Sequence, residues 1–487
     1  MKQEKYLYEE LVKYAEGGTY PFHMPGHKRN TGLLRGMDPY RIDITEIEGF
    51  DNLHHAEGIL KDAENRAAEL FGAEETSFLV GGSTAGILSA LSACAPKGGR
   101  LLMARNCHAS VYHAAELRDL EPVYLNPVFN SEYGICGSVR PEDVEELLAS
   151  AKAAGGAIAA VCVTSPTYDG VVSDIGAIAA ITKRYGIPLI VDEAHGAHFA
   201  FHEYFPDSAL RLGADVVIQS AHKTLPSLTQ TALLHVQGNL ADREKIRHYA
   251  RVYQSSSPSY VLMGSLDRCS ALLRGERGRE LFNRYVGRLD TLRETLSGIE
   301  GLKLADAGDE GFYDYDRSKL LLAFRGMSGR ELYQKLLMDY NLQLEMAAPL
   351  YALAMTSVCD TSAGFGRMER AFYALAESEG GRAEPPETMI FRLMTSDLKK
   401  IPDRALTPGE AMEREGREIP LEESAGHVCG AYIFLYPPGI PMLVPGERVT
   451  EEHIRALTNY ERMGLNIQGI VSDRDYDGSY RGIRVLV

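Results

Sequence analysis

Between residues 57 and 191 the chain alternates between helical and strand-like segments, and this order restricts the possible folds more than any other feature. Apolar residues at helical spacing predict helices at residues 57–70, 84–94, 109–117, 141–154 and 174–185. Short apolar runs predict strands at residues 76–80, 100–104, 122–125, 158–164 and 187–191. Nearly continuous apolar strands that alternate with helices are typical of a mostly parallel sheet with helices on both faces. Ligands of such sheets bind at the carboxyl ends of the strands.

A change of pattern near residue 300 predicts a second, smaller unit. A strand at residues 231–236 and a long helical stretch at 258–296 end the regular series, and the remainder is predicted to be α+β. At the other end, a short helix at residues 4–16 leads into an arm at 20–28, which glycine and proline make too irregular for a helix. We therefore predict three parts, an N-terminal helix and arm at 1–45, a large domain at 46–300 and a C-terminal domain at 301–487.

The charge balance and the cysteines restrict the class of protein. The chain has 51 basic and 67 acidic side chains and a net charge of −16, which argues against a nucleic-acid-binding surface and agrees with a cationic substrate. An ordinary acidic cytoplasmic protein would have the same charge without such a substrate. The seven cysteines show no paired spacing and fit a reducing cytoplasm. Because the N-terminus is polar and no apolar run approaches about eighteen residues, we expect neither a signal peptide nor a membrane span.

An acid and a lysine follow two successive apolar strands. The strand at residues 187–191 runs into Asp192, and the run at 214–218 leads to Lys223 within Ser220-Ala-His-Lys223. Many enzymes that use pyridoxal 5'-phosphate (PLP) present their acid and their lysine in this order. The lysine bonds to the cofactor aldehyde, and the carboxylate keeps the pyridine nitrogen protonated. A lysine near a strand end is common, however, so the prediction depends on the residues around it.

A glycine-rich turn supplies a candidate phosphate site. Gly81-Gly-Ser-Thr84-Ala-Gly86 lies between a predicted strand and a predicted helix, where backbone amides and the Ser83 and Thr84 hydroxyls can face an anion. An ordinary turn with a helix cap would look the same. The order of phosphate turn, Asp192 and Lys223 favours the cofactor, and Ser220 and His222 could also donate to the phosphate.

His108 follows the strand at residues 100–104 and could lie flat against one face of the cofactor ring. A neutral imidazole beside a helix N-cap is the alternative, and spacing alone favours it. The sequence does not decide between the two.

A metal site is the rival interpretation of the segment that begins at Asp192. His195, His198 and His202 follow within ten residues, and such clusters can bind zinc. Gly196 and Ala197 argue against a regular helix that would place the three imidazoles on one face. We therefore expect no metal, and we expect structural or exposed roles for His198 and His202.

Several longer motifs carry a resemblance to a known family. They are Phe22-His-Met-Pro-Gly-His-Lys28, Asp43-Ile-Thr-Glu46, Asp51-Asn-Leu-His-His-Ala-Glu-Gly58, Arg105-Asn-Cys-His108, Asp192-Glu-Ala-His195, Ser220-Ala-His-Lys223 and Tyr436-Pro-Pro-Gly-Ile-Pro441. Together they resemble the bacterial ornithine/lysine/arginine decarboxylases, in the short form without the N-terminal receiver-like domain. The motifs run from residue 22 to 447 and cover nearly the whole chain.

The resemblance implies a fold and an activity. The fold is α/β of the PLP-dependent aspartate-aminotransferase type (fold type I), a mostly parallel seven-stranded sheet with helices on both faces plus a smaller α+β C-terminal domain. The activity is that of a carboxy-lyase, a PLP-dependent decarboxylase of a basic amino acid in polyamine metabolism. It also implies a cytoplasmic homodimer with its active site at the subunit interface, and no nucleic-acid or membrane partner.

Carried over by position, the resemblance assigns roles to individual residues. Lys223 binds the cofactor, Asp192 meets the pyridine nitrogen, and His108 stacks on the ring. The remaining expected cofactor contacts are Ser83, Thr84, Ala85, His195, Ser220 and His222, with Ser256 reaching the phosphate of a neighbouring subunit. The proton donor to the substrate Cα stays open between Lys223 and a neighbouring histidine.

Two positions depart from the family pattern. Ala109 follows His108 where lysine is common, and His427, in Gly426-His-Val-Cys-Gly430, stands where the family often has arginine. Neither departure replaces the lysine or its acid, so they bear on substrate identity or local packing.

The choice of substrate depends on an acidic group for the side-chain cation, because a buried unpaired cation is expensive. Glu447, just after the Tyr-Pro-Pro motif, is the first candidate; a surface glutamate is the alternative, and Glu46 and Glu48 come next, acting across the dimer. The resemblance to short members of the family implies arginine first as substrate, with lysine close behind, and ornithine stays open. A PLP aminotransferase of the same fold and a catalytically silent regulatory homologue are the competing functions.

Overall fold

The computed structural model describes residues 14, 16–32, 39–379, 401–436, 440–462, 465–472 and 481–487. Most of the helix predicted at residues 4–16 lies outside these ranges, and so do residues 437–439 of the Tyr-Pro-Pro motif. No helix in the described ranges combines the length and the apolar character needed to cross a membrane.

A seven-stranded sheet forms the centre of the molecule. In chain order, the strands up to residue 236 are β1 (Tyr20–Phe22), β2 (Glu75–Leu79), β3 (Arg100–Ala104), β4 (Glu121–Leu125), β5 (Phe129–Asn130), β6 (Ile135–Cys136), β7 (Ile158–Thr164), β8 (Val171–Val172), β9 (Leu189–Asp192), β10 (Val216–Gln219) and β11 (Ala232–Val236). The sheet has the strand order β2-β11-β10-β9-β7-β3-β4. Strand β11 runs antiparallel to both neighbours, and the other neighbouring pairs are parallel. The prediction of a mostly parallel seven-stranded sheet is confirmed.

Helices alternate with these strands along the chain. Up to residue 297 they are α1 (Pro39–Ile42), α2 (Ile59–Phe71), α3 (Gly82–Cys94), α4 (Ala109–Leu117), α5 (Pro141–Ala153), α6 (Ile175–Tyr185), α7 (Ala221–Thr224), α8 (Arg243–Val252), α9 (Tyr260–Leu273) and α10 (Gly275–Ser297). Every residue of β9, β10 and β11 is buried, because helices cover both faces of the sheet centre. Their continuous apolar sequence follows from this double cover.

The long helical stretch predicted at residues 258–296 is helical in the structure but is divided into two helices. Helices α9 and α10 are separate because the chain turns at Gly275, whose φ of +71° lies in the left-handed region that favours glycine. The turn brings the next residues close to the end of α9, since a Cβ on Gly278 would lie 1.8 Å from the Leu273 carbonyl oxygen.

Beyond residue 300 the chain forms smaller sheets. Its strands are β12 (Leu302–Leu304), β13 (Asp314–Tyr315), β14 (Lys319–Phe324), β15 (Leu342–Leu344), β16 (Met346–Ala347), β17 (Ala352–Met355), β18 (Gly416–Pro420), β19 (Ile433–Tyr436), β20 (Ile440–Leu443), β21 (Asn466–Gln468), β22 (Val471–Ser472) and β23 (Arg481–Leu486). The helices are α11 (Gly329–Tyr340), α12 (Ser362–Glu379), α13 (Pro408–Met412) and α14 (Glu451–Arg462). The sheets have the orders β12-β14-β17-β16, β18-β23-β22 and β20-β19-β21, and β1 from the arm pairs in parallel with β15. The predicted α+β character of this part is confirmed.

One apolar core extends across the expected boundary at residue 300. It contains Leu101 and Leu292 from the first part and Leu322 and Phe372 from the second, all fully buried. Two smaller cores lie among the later elements. The division at residues 45 and 300 therefore stays a prediction.

Candidate active site

A cavity of about 500 Å³ lies at the carboxyl ends of the parallel strands. Among the residues that line it are the predicted Ser83, His108, Asp192, His195 and Lys223. Strand ends β9 and β10 position the acid and the lysine, since parallel neighbours end at the same edge of the sheet. Later elements close the other side of the cavity. Residues from three distant segments of the sequence therefore meet in one site.

The arm at residues 20–28 packs directly on the lysine segment. The Gly26 N–H donates to the His222 carbonyl at 2.7 Å, and a Cβ on Gly26 would lie 2.8 Å from the Leu225 carbonyl oxygen. The Lys28 ammonium donates to the carbonyls of His23 and Met355 at 2.8 and 2.7 Å. This motif thus fixes the backbone around Lys223 and leaves no space for a larger residue at position 26.

Asp192 ends β9 and is buried, with an exposed fraction of 3%. Its Oδ1 accepts the Ala194 N–H at 3.2 Å. Burial raises the pKa of Asp192, and the nearby Lys223 cation lowers it. Glu193 points to the other face of the sheet and accepts hydrogen bonds from Ser208 and Gln219. Of the two adjacent acids, Asp192 therefore faces the cavity and needs a cationic partner there.

The phosphate turn carries hydrogen-bond donors without protein partners. In the described part of the chain no side chain caps the N-terminus of α3 at Gly81, so its first amides are available to an anion. The Ser220 hydroxyl is buried and has no partner among the described residues. Ser83 is half-buried and lines the cavity, Thr84 is exposed, and Ala85 is buried. An unpaired buried hydroxyl and uncapped helix amides are both donors that a phosphate group can accept from.

His222 precedes Lys223, is not among the residues that line the cavity, and has one ring nitrogen already bonded within the protein. Its Nδ1 donates to the Thr231 carbonyl at 2.8 Å, so the neutral ring presents an acceptor at Nε2. Burial lowers the pKa of His222 to about 4, and the neighbouring Lys223 cation lowers it further by a smaller amount. The hydrogen bond to the Thr231 carbonyl acts in the opposite direction and raises the pKa. The predicted donation to a phosphate therefore requires the imidazolium, which a bound anion would stabilise.

His108 caps a helix and also lines the cavity, so stacking on a cofactor ring stays a prediction. It is the N-cap of α4, where Nδ1 accepts the Ser110 N–H at 3.2 Å, and its ring also lines the cavity. Removal from bulk water and the Lys223 cation lower the pKa of His108 to about 4. A neutral ring held by its own helix can present a flat face to a ligand. Ala109 is the first residue of α4 and is half-buried.

The histidines after Asp192 are engaged by partners other than a metal. His195 lies between Lys223 and Lys319, with each of its ring nitrogens 2.9 Å from one lysine Nζ. His198 pairs with buried Asp316 at 3.0 Å, and His202 accepts the Tyr204 N–H. Among the described residues, no group of three or more His, Cys, Asp or Glu side chains is arranged to hold a metal ion.

Glu447 requires a correction. Its two oxygens accept from Arg105 Nη1 and Nη2 at 2.8 and 2.9 Å, and Oε2 also accepts the Val444 N–H. The carboxylate is fully buried, whereas Arg105 lines the cavity. Because the charge of Glu447 is already paired with the Arg105 guanidinium and Glu447 is not among the residues that line the cavity, we withdraw Glu447 as the partner of a substrate cation. It fastens the C-terminal part to the strand end of β3 instead.

Breaking this pair is expected to lower stability. Glu447→Gln would leave the Arg105 cation buried without its counter-charge, and we expect a loss of about 3–5 kcal/mol in the free energy of unfolding, measured in urea. The double variant Arg105→Met/Glu447→Gln removes both charges and should lose less. As a control, Asp207→Asn breaks an ion pair whose two side chains are 70% and 51% exposed, and it should have no measurable effect. A Glu447→Gln protein as stable as the parent would contradict the structural role.

Two further predicted features lie outside the cavity. Ser256 is exposed, and the neighbouring Ser255 carbonyl is 2.8 Å from His54 Nε2. The contact of Ser256 with the phosphate of a neighbouring subunit stays a prediction. His427 is half-buried, and its N–H donates to the Ser424 carbonyl in a loop that packs against the Glu447 backbone.

The sequence missed two residues of the site, Glu345 and Lys319. Glu345 lies between β15 and β16 and lines the cavity, where it accepts from the Met24 N–H and the Tyr168 hydroxyl. Lys319 begins β14 and is fully buried. In the sequence, a lysine at the first position of an apolar strand is typical of a solvent-exposed strand end. The local pattern therefore did not identify Lys319 as a residue of the site.

Comparisons with known proteins find similarity to decarboxylases of basic amino acids. The family model "Orn/Lys/Arg decarboxylase, major domain" matches residues 6–310, and "Orn/Lys/Arg decarboxylase, C-terminal domain" matches residues 391–481. An uncharacterized protein of Bacillus subtilis, YaaO, is 34% identical over 472 residues, which cover 95% of each chain. The arginine decarboxylase of Bacillus subtilis is 31% identical over 480 residues and 96% of each chain. The solved lysine decarboxylase LdcF of Francisella novicida superposes with a TM-score of 0.78 at 21% identity, covering 98% of this chain and 80% of that one.

Proposed function

We propose that this chain, which belongs to the Orn/Lys/Arg decarboxylase family, is an arginine decarboxylase that uses pyridoxal 5'-phosphate. By family it is an amino-acid decarboxylase acting on a basic amino acid. The observation that carries the finer proposal is the convergence of Lys223, Asp192 and an uncapped helix amide cluster on one cavity. Full-length similarity to a Bacillus arginine decarboxylase ranks arginine before lysine and ornithine.

The residues of the cavity fit the proposed cofactor. Lys223 would bind it covalently, Asp192 would meet its ring nitrogen, and the Ser220 hydroxyl with the α3 amides would hold its phosphate. When bound, PLP would supply a protonated pyridine ring that accepts the electron pair left on the substrate Cα as the carboxylate departs as carbon dioxide. Asp192 supports that chemistry because its buried negative charge favours a proton on the adjacent nitrogen.

The protein's own groups would orient the reaction. The His108 ring is fixed by its bonds to Ser110 and presents a neutral face, so it can restrict the tilt of a planar ligand. Lys223 must be a neutral amine to react as a nucleophile, and it lies within hydrogen-bond distance of His195. Either group can hold the proton that the substrate Cα receives after the carboxylate has left.

Glu345 replaces Glu447 as the proposed partner of the substrate cation. Of the acids that line the cavity, Asp192 has its own role and Asp169 is buried and bonded to the Tyr351 hydroxyl. Glu345 is half-buried, and its carboxylate accepts two hydrogen bonds. Since a carboxylate has about four acceptor sites, it can still bind a guanidinium or ammonium group.

A charge-specific experiment tests this assignment. Glu345→Gln should lower kcat/KM for arginine about 10- to 150-fold, because a hydrogen bond to a charged group contributes roughly 1.5–3 kcal/mol. Citrulline, the neutral analogue of arginine, is the matched control substrate. The preference for arginine over citrulline should decrease in the variant. An equal loss for both compounds would mean that Glu345 only supports the fold, and unchanged kinetics would direct the search to Glu46 and Glu48.

A homodimer and a cytoplasmic location complete the proposal. Large apolar side chains stand exposed along residues 40–59, with Tyr40 96%, Ile47 50%, Phe50 46% and Ile59 52% exposed. Such a concentration favours a protein interface. The seven cysteines are free and five of them are buried, which supports a reducing compartment.

Product analysis tests the proposed function. Purified protein with PLP should convert arginine, or less efficiently lysine, to carbon dioxide and one equivalent of the corresponding amine. Formation of a 2-oxo acid without carbon dioxide would identify an aminotransferase instead. No turnover of arginine, lysine or ornithine by protein that binds PLP would identify a silent homologue.

A further inference from the structure

Three side chains form a continuous hydrogen-bonded row that begins at the wall of the cavity and ends in the interior. Lys223 Nζ lies 2.9 Å from His195 Nε2, and His195 Nδ1 lies 2.9 Å from Lys319 Nζ. Lys319 is fully buried and His195 nearly so, with the imidazole edge against the Tyr168 ring. The row crosses from the strand end of β10 to the start of β14.

The chemistry of imidazole limits the protonation states of this row. A neutral imidazole has one N–H donor and one acceptor nitrogen. If the Lys223 ammonium donates to Nε2, Nδ1–H must donate to a neutral Lys319 amine. If the Lys319 ammonium donates to Nδ1, Nε2–H must donate to a neutral Lys223 amine. With a neutral imidazole, both bonds therefore require at least one neutral lysine, whose nitrogen accepts from the ring N–H.

We propose that Lys319 is a positioning residue that takes the proton of Lys223 through His195. In this step Lys223 Nζ–H breaks as Nε2–H forms, while Nδ1–H breaks as the third N–H of Lys319 forms. The net charge of the row is unchanged, and the positive charge moves from the cavity to the interior. Lys223 is left with the free electron pair that a nucleophile needs.

The surrounding charges agree with a shared proton. Burial lowers the pKa of Lys319 to about 8, against the attraction of Asp316 and Glu345. Burial also lowers the pKa of Lys223, against Asp192 and Glu345, and it lowers the pKa of His195 strongly. The charged or titratable groups that face the row are Lys28, His108, Asp169, Asp192, His222, Asp316 and Glu345. With both lysines weakened as bases and the imidazole held neutral, the proton can reside on either end.

The inference rests on the proposed function in one respect, since that function supplies the cofactor with which a neutral Lys223 would react. Its test uses the full chain without cofactor, so it is independent of decarboxylation. The pH dependence of Lys223 labelling by a trace of acetic anhydride, quantified by peptide mass spectrometry, gives the midpoint at which Lys223 becomes neutral. We expect a midpoint at least about one unit below the ordinary lysine value of about 10.4. An ordinary midpoint in the parent protein would overturn the proposal without any variant.

Three variants separate a relay from simple charge repulsion. Lys319→Met removes the proton acceptor and should raise the labelling midpoint of Lys223 by about one pH unit or more. Labelling near neutral pH should therefore be about ten-fold slower, and it should recover at high pH. Lys319→Arg keeps a permanent donor to Nδ1 and should leave the midpoint low. His195→Phe keeps the ring against Tyr168 and the Lys319 charge but breaks the row, so the midpoint should rise as in Lys319→Met.

The contrary outcomes are distinct. A low midpoint in His195→Phe would mean that Lys319 acts by charge alone and would overturn the relay. An unchanged midpoint in Lys319→Met, or an equal rise in Lys319→Met and Lys319→Arg, would also overturn it. Slower labelling by the same factor at every pH would identify a packing role instead, and it too would contradict the proposal.

Discussion

Lys223→Ala is expected to lower the rate of decarboxylation by about 10⁴-fold or more, which corresponds to roughly 5.4 kcal/mol of transition-state stabilisation. Alanine removes the amine that bonds to the cofactor and the hydrogen bond to His195 Nε2. The phosphate contacts at Ser220 and α3 remain, so the variant should still bind PLP but release it on dialysis. Absorption of the dialysed protein above about 400 nm measures the PLP that remains bound. Release of carbon dioxide measures the rate of decarboxylation.

The matched control is Lys245→Ala. Lys245 is 64% exposed on α8, pairs with Asp242 on the surface, and is not among the residues that line the cavity. Its variant should keep the absorption and the activity of the parent protein. A yellow, active Lys223→Ala protein would rule out the assigned role of Lys223.

Asp192→Asn is expected to retain cofactor but to lose about 10³-fold in turnover, or roughly 4 kcal/mol. The neutral amide no longer favours a proton on the ring nitrogen, so the electron-accepting form of the ring is lost. The amide oxygen can still accept the Ala194 N–H, which preserves the turn after β9. Steady-state kinetics with arginine and the visible spectrum after reconstitution measure turnover and occupancy separately.

Asp207→Asn provides the control for a lost surface carboxylate, since Asp207 is 51% exposed and pairs with Arg211. It should be fully active. Turnover of Asp192→Asn within a few-fold of the parent would exclude Asp192 as the group that sets the protonation of the ring. Loss of the cofactor itself would show that Asp192 mainly binds rather than activates.

The parts of the fold that were predictable are those coded by local pattern. The helices and strands that were predicted between residues 57 and 191 begin and end within a few residues of their predicted bounds, because glycine, proline and capping residues mark their ends. Gly186, for example, ends α6 at a φ of +68°, and Asp174 caps its start. Parallel strands place their carboxyl ends together, so the meeting of Asp192 and Lys223 followed from the alternation alone.

The parts that were not predictable depend on contacts between distant residues. Arg105 and Glu447 are 342 positions apart, and no local pattern tells a buried partner from a surface glutamate. His195 and Lys319 are 124 positions apart, and only the packing of β14 beside the cavity turns that lysine inward. The sequence identified the residues that follow strand ends and missed the residues that other parts of the chain bring to them.

The covalent attachment of PLP to Lys223 is the claim on which the whole account depends. Borohydride reduction of the protein with PLP, followed by peptide mass spectrometry, fixes the cofactor on the lysine that bears it. Three lysines can be compared directly, because Lys28 and Lys319 are also buried close to the cavity. We expect one cofactor per chain, found on the peptide that contains Lys223. Cofactor mass on Lys319 or Lys28, or on no lysine at all, would contradict it.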